Sequence, residues 1–350
     1  MKQKLKQFYK KHKKVIIPGA FTLVIAGMVA AVTVYALRND LVSRTKPASN
    51  TKPVSATVAS PLTGREIKSE LAERPITGVM IENSPEARPQ SGLSDAGVVF
   101  EAIAEGGITR FLALYQEDQP KLIGPVRSLR PYYLDWAMGF NSSVAHVGGS
   151  EEALQQARSL SAFRDLDEFN NSSYFFRTRD RYAPHNMYTR SELLDKASKK
   201  KDYKESDFTS LERKKPKPAE VPDASSISVN FSAPTFRADY TYDKASNNYK
   251  RNIGGKPHLD KESSKQLTSD VIVIMKIAWS AKASGHSVYG TLQGGEAQVF
   301  QDGTVYTGTW SKQSREDQIK LIKSDGAPLK LNPGRTWIEA LPTGRSVSFN

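Results

Sequence analysis

The chain has 350 residues, of which 38% are hydrophobic and 25% are charged. These values are typical of globular proteins and exclude extensive disorder, and the length suffices for two ordinary domains with appendages. Because the sequence contains no cysteine, it excludes disulfides, thiolate metal sites, a cysteine nucleophile and a lipid-modified lipobox cysteine.

The net charge of +13 is unevenly distributed along the chain. Seven lysines lie within the first fourteen residues, and a second basic cluster occupies residues 196–217 in a stretch rich in lysine and proline. Neither cluster forms a basic stripe interleaved with aromatic residues, and no known nucleic-acid reader motif accompanies them. We therefore predict no nucleic-acid partner.

Residues 15–37 form an apolar segment of 23 residues without a charge. About 20 such residues span a bilayer core, and the preceding lysines predict that residues 1–14 remain in the cytoplasm. This pattern indicates a single transmembrane helix, with the lipid bilayer as its partner. The alternative is a cleaved signal peptide, whose apolar region is usually shorter, about 7–15 residues. Both interpretations place the rest of the chain outside the cytoplasm.

Residues 38–60 are rich in Ser, Thr, Pro, Ala and Asn, which predicts a flexible stalk. A first domain of α+β or α/β class is predicted over residues 61–195. Gly106-Gly107 separates two of its β-rich runs and indicates a hairpin, and Ser150 is a favourable N-cap for the second helix. The predicted strands are 76–81, 98–105, 108–116 and 142–147, and the predicted helices are 130–140 and 151–160.

Residues 196–222 are polar and charged, which predicts a linker. The second domain, residues 223–350, is predicted to be β-dominated, with a hairpin turn at Asp302-Gly303. Its predicted strands are 226–231, 271–277, 287–292, 296–300, 304–310 and 336–340.

The hairpin contains the first candidate site. A two-residue turn pairs Glu105 with Ile108, Ile103 with Arg110 and Glu101 with Leu112. Because strand side chains alternate between faces, this register places Glu101, Glu105 and Arg110 on one face. The functional interpretation is a carboxylate pair whose pKa is tuned by an arginine, for acid–base catalysis or for holding a polar ligand. The alternative is an ion-pair ladder that only fixes the register.

A second candidate precedes the helix predicted at residue 130. Arg127, Ser128 and Arg130 at a helix N-terminus suit an anion, because free backbone N–H groups also point there. Arginine offers a planar fork to phosphate or carboxylate. The alternative is that these arginines form salt bridges with Glu101 and Glu105.

Three further polar residues lie in turns of the first domain. His146 ends a strand, and His185 and Asn186 lie in the polar loop 177–188. Convergence of both histidines on the Glu101 face would create an acid–base or metal site, whereas ordinary structural hydrogen bonding is the alternative. The sequence contains no metal-ligand spacing such as HExxH. It also contains no GxSxG motif, no Walker loop and no dinucleotide-binding fingerprint. We therefore predict no metal and no cofactor.

At eight short segments spread over both predicted domains, the chain resembles the YerB-like family of bacterial envelope lipoproteins (domain of unknown function 3048). The resemblance covers residues 61–345 and implies two associated domains and an envelope location. It implies no reaction. The absence of a lipobox cysteine departs from the family pattern, so a transmembrane helix takes the place of the lipid anchor. The matching segments are residues 61–64, 87–92, 105–110, 124–128, 184–186, 249–251, 256–260 and 333–337.

The leading hypothesis is a membrane-anchored extracytoplasmic envelope protein that binds an anionic or sugar-containing ligand. In it Arg110, Arg127 and Arg130 hold the anionic group. The other predicted parts are Glu101 and Glu105, which order the arginines, and His185 and Asn186, which close the site.

Two alternatives stay open. One is a hydrolase or transferase acting on a cell-wall polymer, with Glu101 or Glu105 as the acid–base group assisted by His146 or His185. The other is a scaffold that binds an envelope protein through the second domain.

Overall fold

The computed structural model describes residues 2–7, 10–11, 29–38 and 56–350. The first three segments are helical, and the chain divides into one unit up to Val54 and a compact body from Ser55 to Asn350. Most of the predicted membrane span, residues 15–37, lies outside the described residues. Among the helices that are described, none is both long enough and apolar enough to cross a membrane.

The body is a mixed structure in which strands predominate. Its first nine strands are β1 (Thr57–Ala59), β2 (Glu66–Lys68), β3 (Thr77–Glu82), β4 (Val98–Glu105), β5 (Ile108–Tyr115), β6 (Ser143–His146), β7 (Arg164–Asp167), β8 (Phe176–Arg177) and β9 (Met187–Tyr188). Its helices are α1 (Ser69–Ala72), α2 (Pro131–Met138), α3 (Glu151–Ser159), α4 (Glu168–Asn171) and α5 (Ser191–Lys200).

The region after residue 222 is β-rich, as its sequence predicts. Its strands are β10 (Ser226–Asn230), β11 (Arg237–Asp243), β12 (Asn248–Ile253), β13 (Lys256–Pro257), β14 (Thr268–Ser269), β15 (Val271–Ile277), β16 (Trp279–Ala281), β17 (Ser287–Tyr289), β18 (Gly294–Gln301), β19 (Thr304–Ser311), β20 (Lys320–Lys323), β21 (Thr336–Pro342) and β22 (Val347–Phe349).

One ten-stranded sheet contains strands from both predicted domains. Its order is β20-β19-β18-β15-β21-β4-β5-β3-β6-β7, and the parallel pair β21–β4 joins the two halves. Both strands are nearly continuous apolar runs, as expected for strands covered on both faces. The buried side chains of α2, among them Tyr133 and Trp136, pack in the core on one face. The second sheet, β13-β12-β11-β10-β22 with β14, contributes Tyr240 and Tyr249 to the core on the other face.

The β4–β5 hairpin forms with Gly106-Gly107 at its turn, but its predicted register is wrong beyond the first pair. Glu105 pairs with Ile108 as expected, whereas the register shifts between Ile103 and Glu105 and leaves Ala104 as an extra residue. Such a bulge reverses the faces of all residues beyond it. Glu101 therefore pairs with Phe111 and lies on the face opposite Glu105 and Arg110.

The predicted stalk and linker contain ordered structure in their described parts. Residues 57–59 form strand β1, which pairs with β2. In the linker region, α5 continues to Lys200, and Arg213 donates hydrogen bonds to the backbone oxygens of Leu62 and Asn332. Residues 206–214 thus run along the surface of the body and form hydrogen bonds with both of its halves.

Candidate functional site

The Glu105 cluster consists of Glu105, Arg110 and Arg130, all on the α2 face of the sheet. The two Glu105 oxygens accept from different arginines: Oε1 from Arg110 Nη2 at 3.0 Å and Oε2 from Arg130. Arg110 also donates to the backbone oxygen of Ser128 at 2.8 Å. The arginine side chains are 3% and 6% exposed, and Glu105 is 32% exposed. The two arginines are therefore already occupied by a carboxylate of the chain itself.

The electrostatics of this cluster fix Glu105 in its ionised form. Burial acts to raise the pKa of Glu105, but the adjacent Arg110 and Arg130 outweigh it and lower that pKa to about 2. The pKa of Arg130 is lowered by its burial and by the charge of Arg110. A carboxylate held in this way is a poor general acid at neutral pH, because catalysis needs a pKa near the working pH.

The Glu82 cluster consists of Glu82, Ser84, Arg127 and His185, at the end of β3. Glu82 lies opposite Arg110 in the β3–β5 register, so this cluster adjoins the Glu105 cluster. The Glu82 carboxylate accepts a hydrogen bond from Ser84 Oγ at 3.1 Å and lies 3.3 Å from Arg127 Nε. Nδ1 of His185 is 3.0 Å from Glu82 Oε2.

The Glu82 cluster differs from its neighbour in its access to solvent. The carboxylate of Glu82 is only 5% exposed, whereas the side chains of Arg127 and His185 are 27% and 25% exposed. Within the part of the chain that the structure describes, the Arg127 guanidinium donates no side-chain hydrogen bond, and no partner reaches His185 Nε2. A buried carboxylate thus lies beside a guanidinium and an imidazole that are each about one quarter exposed.

The backbone explains why these residues meet. Val126 forms an isolated bridge with Ile81, and the Arg127 amide donates to the oxygen of Met80, so this segment extends the sheet beside β3. The Val126 amide also donates to Met187, which brings the loop that carries His185 to the same edge. Both approaches rest on main-chain hydrogen bonds between segments distant in sequence.

Glu101 belongs to a third group, the seam network, which is buried on the opposite face of the sheet. Arg251 of β12 donates to Glu101 of β4 and, at 2.9 Å, to Glu339 of β21. Glu101 and Glu339 are direct neighbours in the parallel β21–β4 pair. All three side chains are fully buried, and Arg251 also lies 4.3 Å from the ring centroid of Trp337.

The seam network titrates away from ordinary values. Burial and the adjacent charge of Glu101 raise the pKa of Glu339 well above its usual range. Burial, together with the charges of Arg251 and Arg88, lowers the pKa of His258 well below its usual range. His258 Nδ1 accepts from Arg251 Nε at 3.1 Å, and its Nε2 lies 2.8 Å from Gln90 Oε1. Both ring nitrogens of His258 therefore have partners within the protein. Because Gln90 and Arg251 belong to different halves of the chain, the seam network joins these halves.

The other predicted site residues have structural surroundings. His146 is fully buried, with Nδ1 at 2.8 Å from the Gly148 oxygen and Nε2 at 2.9 Å from Asp165, so it does not converge with His185. Asn186 uses its amide inside its own loop, on Arg177 and on the oxygens of Thr178 and Arg181. Neither residue is arranged to contact a ligand.

The segment before α2 does not act as the predicted anion site of a helix N-terminus. The helix begins at Pro131, and its N-cap residue Arg130 points to Glu105. Ser128 contributes its backbone oxygen to Arg110. Of the three residues predicted there, Arg130 is committed to Glu105, whereas the side chains of Arg127 and Ser128 are half-buried and form no described hydrogen bond. Among the described residues, no group of His, Asp and Glu is arranged to hold a metal ion.

Glu82 and Glu339 were not among the residues predicted from the sequence, although each has a recognisable signal. Glu82 directly follows the buried run ITGVMI, and Glu339 is the single charge within the apolar run TWIEALP. In NYKRNI, Tyr249, Arg251 and Ile253 share one face by strand alternation, which predicts an inward arginine.

These features define a two-region protein whose main mixed sheet is shared by both regions, with a buried ionic seam and a partly exposed Glu–Arg–His cluster around Glu82. The chain belongs to the family described as protein of unknown function (DUF3048). The model of its N-terminal domain matches residues 62–204, and that of its C-terminal domain matches residues 227–338.

A curated relative and a solved structure extend this assignment. The chain is 35% identical over 297 residues to the "Putative lipoprotein YerB" of Bacillus subtilis (strain 168), covering 83% of this chain and 88% of the relative. The crystal structure of the YerB protein from Bacillus subtilis matches with a TM-score of 0.75 at 34% identity, covering 83% of this chain and 99% of that chain.

Proposed function

We propose that this chain is a membrane-anchored protein of the cell envelope that binds an anionic ligand through the Glu82 cluster. Arg127 supplies the charge-assisted donors, His185 Nε2 supplies a further polar contact, and Glu82 holds both in place. The ligand class is a phosphate- or carboxylate-bearing envelope molecule, including acidic sugars.

The observation that carries this proposal is the state of Arg127. Its guanidinium is partly exposed and touches one carboxylate edge through Nε, while its two terminal nitrogens make no described side-chain hydrogen bond. Arginine in this state is suited to bidentate recognition of carboxylate or phosphate. In the two adjoining clusters three arginines face two glutamates, which leaves one excess positive charge to attract an anion.

The envelope location rests on two separate arguments. The relative from Bacillus subtilis carries the description of a lipoprotein, and lipoproteins reside at membrane surfaces. The apolar segment at residues 15–37 follows seven lysines and predicts an anchor with a cytoplasmic N-terminus. Together they support a body that lies outside the cytoplasm and meets cell-wall polymers or other envelope proteins.

The acid–base alternative loses its main support. It requires Glu101 or Glu105 in an open cleft with a raised pKa. Glu105 is paired with two arginines and its pKa is lowered to about 2, and Glu101 is fully buried against Arg251. Glu101 and Glu105 also lie on opposite faces of the sheet and cannot act as a pair.

Binding is tested by thermal shift, using intrinsic tryptophan fluorescence of the full chain in lipid nanodiscs. The probes are inorganic phosphate, glycerol 3-phosphate and N-acetylmuramic acid. A ligand that binds the native state raises the melting temperature according to RT ln(1 + [L]/Kd). We expect a saturable shift with at least one probe. Arg127→Ala should weaken binding about tenfold or more, because a charged hydrogen bond contributes about 1.5–3 kcal/mol.

The matched control is Arg158→Ala, which removes an exposed arginine in α3. It should leave the shift unchanged. Equal loss in both variants would show that the response depends on net charge alone, and an unchanged shift in Arg127→Ala would contradict the proposal.

A further inference from the structure

A pocket lies at the surface where the loop after β3 meets the second sheet. Its cavity volume is about 520 Å³, within the range of small-molecule sites. The walls come from both halves of the family match. They are formed by Pro85, Arg88 and Pro89 on one side, and by Pro234, Thr235, Arg237 and residues 253–259 on the other. We call it the seam pocket, and it shares no residue with the Glu82 cluster.

The walls combine a rigid apolar surface with positive charge. Four prolines and two aliphatic side chains form the apolar part of the lining: Pro85, Pro89, Pro234, Pro257, Ile253 and Leu259. Arg88, Arg237, Lys256 and His258 also line it, whereas the described lining includes no Asp or Glu. Asp239 engages Arg237 through its Nε, and His258 is committed to Gln90 and Arg251. Among the lining cations, Arg88 and Lys256 form no ion pair with a described carboxylate, whereas Arg237 is paired with Asp239.

Arg88 is a fixed cation rather than a solvated surface charge. Three of its N–H groups are committed to oxygens: Nε to Asn83 Oδ1, Nη2 to the Asn83 backbone and Nη1 to the Thr235 backbone, each at 2.9 Å. Since a guanidinium has five N–H donors, two remain. Its aromatic neighbour is Phe236, whose ring centroid lies 5.2 Å away.

No carboxylate in the described part of the chain forms an ion pair with Arg88. Burial lowers the pKa of Arg88 to about 10, since the nearby charge of Glu101 does not offset the loss of solvent. Lys256 is likewise without an ion-pair partner among the described residues, and its side chain lies at the exposed rim beside the Gly254-Gly255 turn. A desolvated, geometrically fixed cation without a counter-charge attracts an anion from solution.

We propose that the seam pocket binds a small organic anion with one carboxylate or phosphate group and a compact apolar body. The anionic group meets the two remaining N–H donors of Arg88, and Lys256 covers it from the rim. The apolar body lies against the prolines, Ile253 and Leu259. Because the lining comes from both family regions, the occupant also bridges them.

Isothermal titration of the full chain in lipid nanodiscs tests this site, with empty nanodiscs as the blank. The probes are phenyl phosphate, benzoate and the neutral benzyl alcohol, which share a ring and differ in the head group. The first two separate a phosphate source from a carboxylate source. We expect saturable binding of at least one anion, one-to-one in the Arg127→Ala background, and binding of benzyl alcohol at least tenfold weaker.

Four variants locate the binding. Lys256→Gln should weaken binding of the anion about fivefold, as expected for one exposed ionic contact. Leu259→Trp fills the pocket and should weaken binding tenfold or more. Arg88→Lys keeps the charge but should also weaken binding, because the planar guanidinium fork is lost. Lys121→Gln, an exposed lysine outside the lining, should bind as the wild type does.

Thermal unfolding of each variant verifies that it is folded. Equal binding of benzyl alcohol and the anions would overturn the proposal, and so would unchanged affinity in both Lys256→Gln and Leu259→Trp, or no binding of either anion. The titrations are also run in an Arg127→Ala background, which removes the proposed Glu82 site, so failure at the seam pocket leaves the Glu82 proposal standing.

Discussion

Three glutamates of this body, Glu82, Glu101 and Glu105, differ in how exposed their arginine and histidine partners are. Glu101 and its partner Arg251 are both fully buried, and Glu105 is held between two arginines that are almost fully buried. The side chain of Glu82 is only 5% exposed, yet its partners Arg127 and His185 are each about one quarter exposed. Burial of the carboxylate fixes its geometry, and exposure of the partner permits binding.

Glu105 provides a residue-scale prediction about pH. Its folded pKa of about 2 lies below the unfolded value of 4.5, so its stabilising contribution is complete above pH 4.5 and is lost as the pH falls toward 2. The shift corresponds to about 3 kcal/mol, which we reduce to about 1–2 kcal/mol because one third of the side chain is exposed. Urea unfolding at several pH values should show Glu105→Gln less stable by this amount near neutral pH.

The gap between wild type and Glu105→Gln should then narrow between pH 4.5 and about 2. Glu220→Gln, which alters an exposed glutamate, is the control and should follow the wild type at every pH. A gap that stays constant down to pH 2 would show that the loss in Glu105→Gln is not ionic.

Residue types allowed the sequence to indicate the right charges but not their partners. Arg127 and His185 were predicted together in one site, and the structure brings both to Glu82. The third member, Glu82, was missed because its position after a buried run marks a strand end but does not identify its partners. The partner of Glu101 was unpredictable for another reason: Arg251 is 150 residues away along the chain.

At the scale of elements, most strands and helices follow from periodicity and turn residues. Gly106-Gly107 and Asp302-Gly303 both form hairpin turns, with φ values of 56° and 81° at the two glycines and 59° at Asp302. The bulge at Ala104 was not predictable, because VVFEAIAE contains no glycine and alternates acceptably in either register. That one extra residue separates Glu101 from Glu105, so the predicted pair of carboxylates does not form.

Ser150 provides an element-scale prediction. Its Oγ accepts from the Ala153 amide at 3.3 Å and caps α3, as the sequence predicts. Ser150→Ala should cost about 1 kcal/mol in urea unfolding, since one amide loses its partner. Ser150→Asp should retain most of the stability because aspartate also caps helices. Equal losses in the two variants would contradict a capping role.

At the scale of the whole molecule, the seam network joins strands of both family regions. Arg251 lies on β12 of the second sheet, whereas Glu101 and Glu339 lie on adjacent strands of the main sheet. Two associated regions were expected from the sequence. Their shared sheet was not, because the pairing of β21 with β4 links segments more than 200 residues apart. Hydrophobic periodicity identifies strands but does not identify distant partners.

Substitutions in the seam network should change the free energy of unfolding in a pattern that reveals an ionic interaction. Arg251→Met leaves Glu101 buried without its cation and should cost about 3–5 kcal/mol in urea unfolding. Adding Glu101→Gln removes the uncompensated charge and should restore part of that loss. Lys250→Met, the exposed neighbour on the same strand, should change little. A double variant as unstable as Arg251→Met alone would contradict the ionic account of the seam.

Anomalous diffraction can locate an anion bound at Arg127. Crystals of the chain from Ser55 to Asn350 would be soaked in tungstate, a heavy tetrahedral anion that can be located anywhere on the molecule. We predict an anomalous peak within hydrogen-bond distance of the Arg127 terminal nitrogens and of His185 Nε2, absent from Arg127→Ala crystals. Tungstate bound elsewhere, with no peak beside Arg127, would contradict the proposed function.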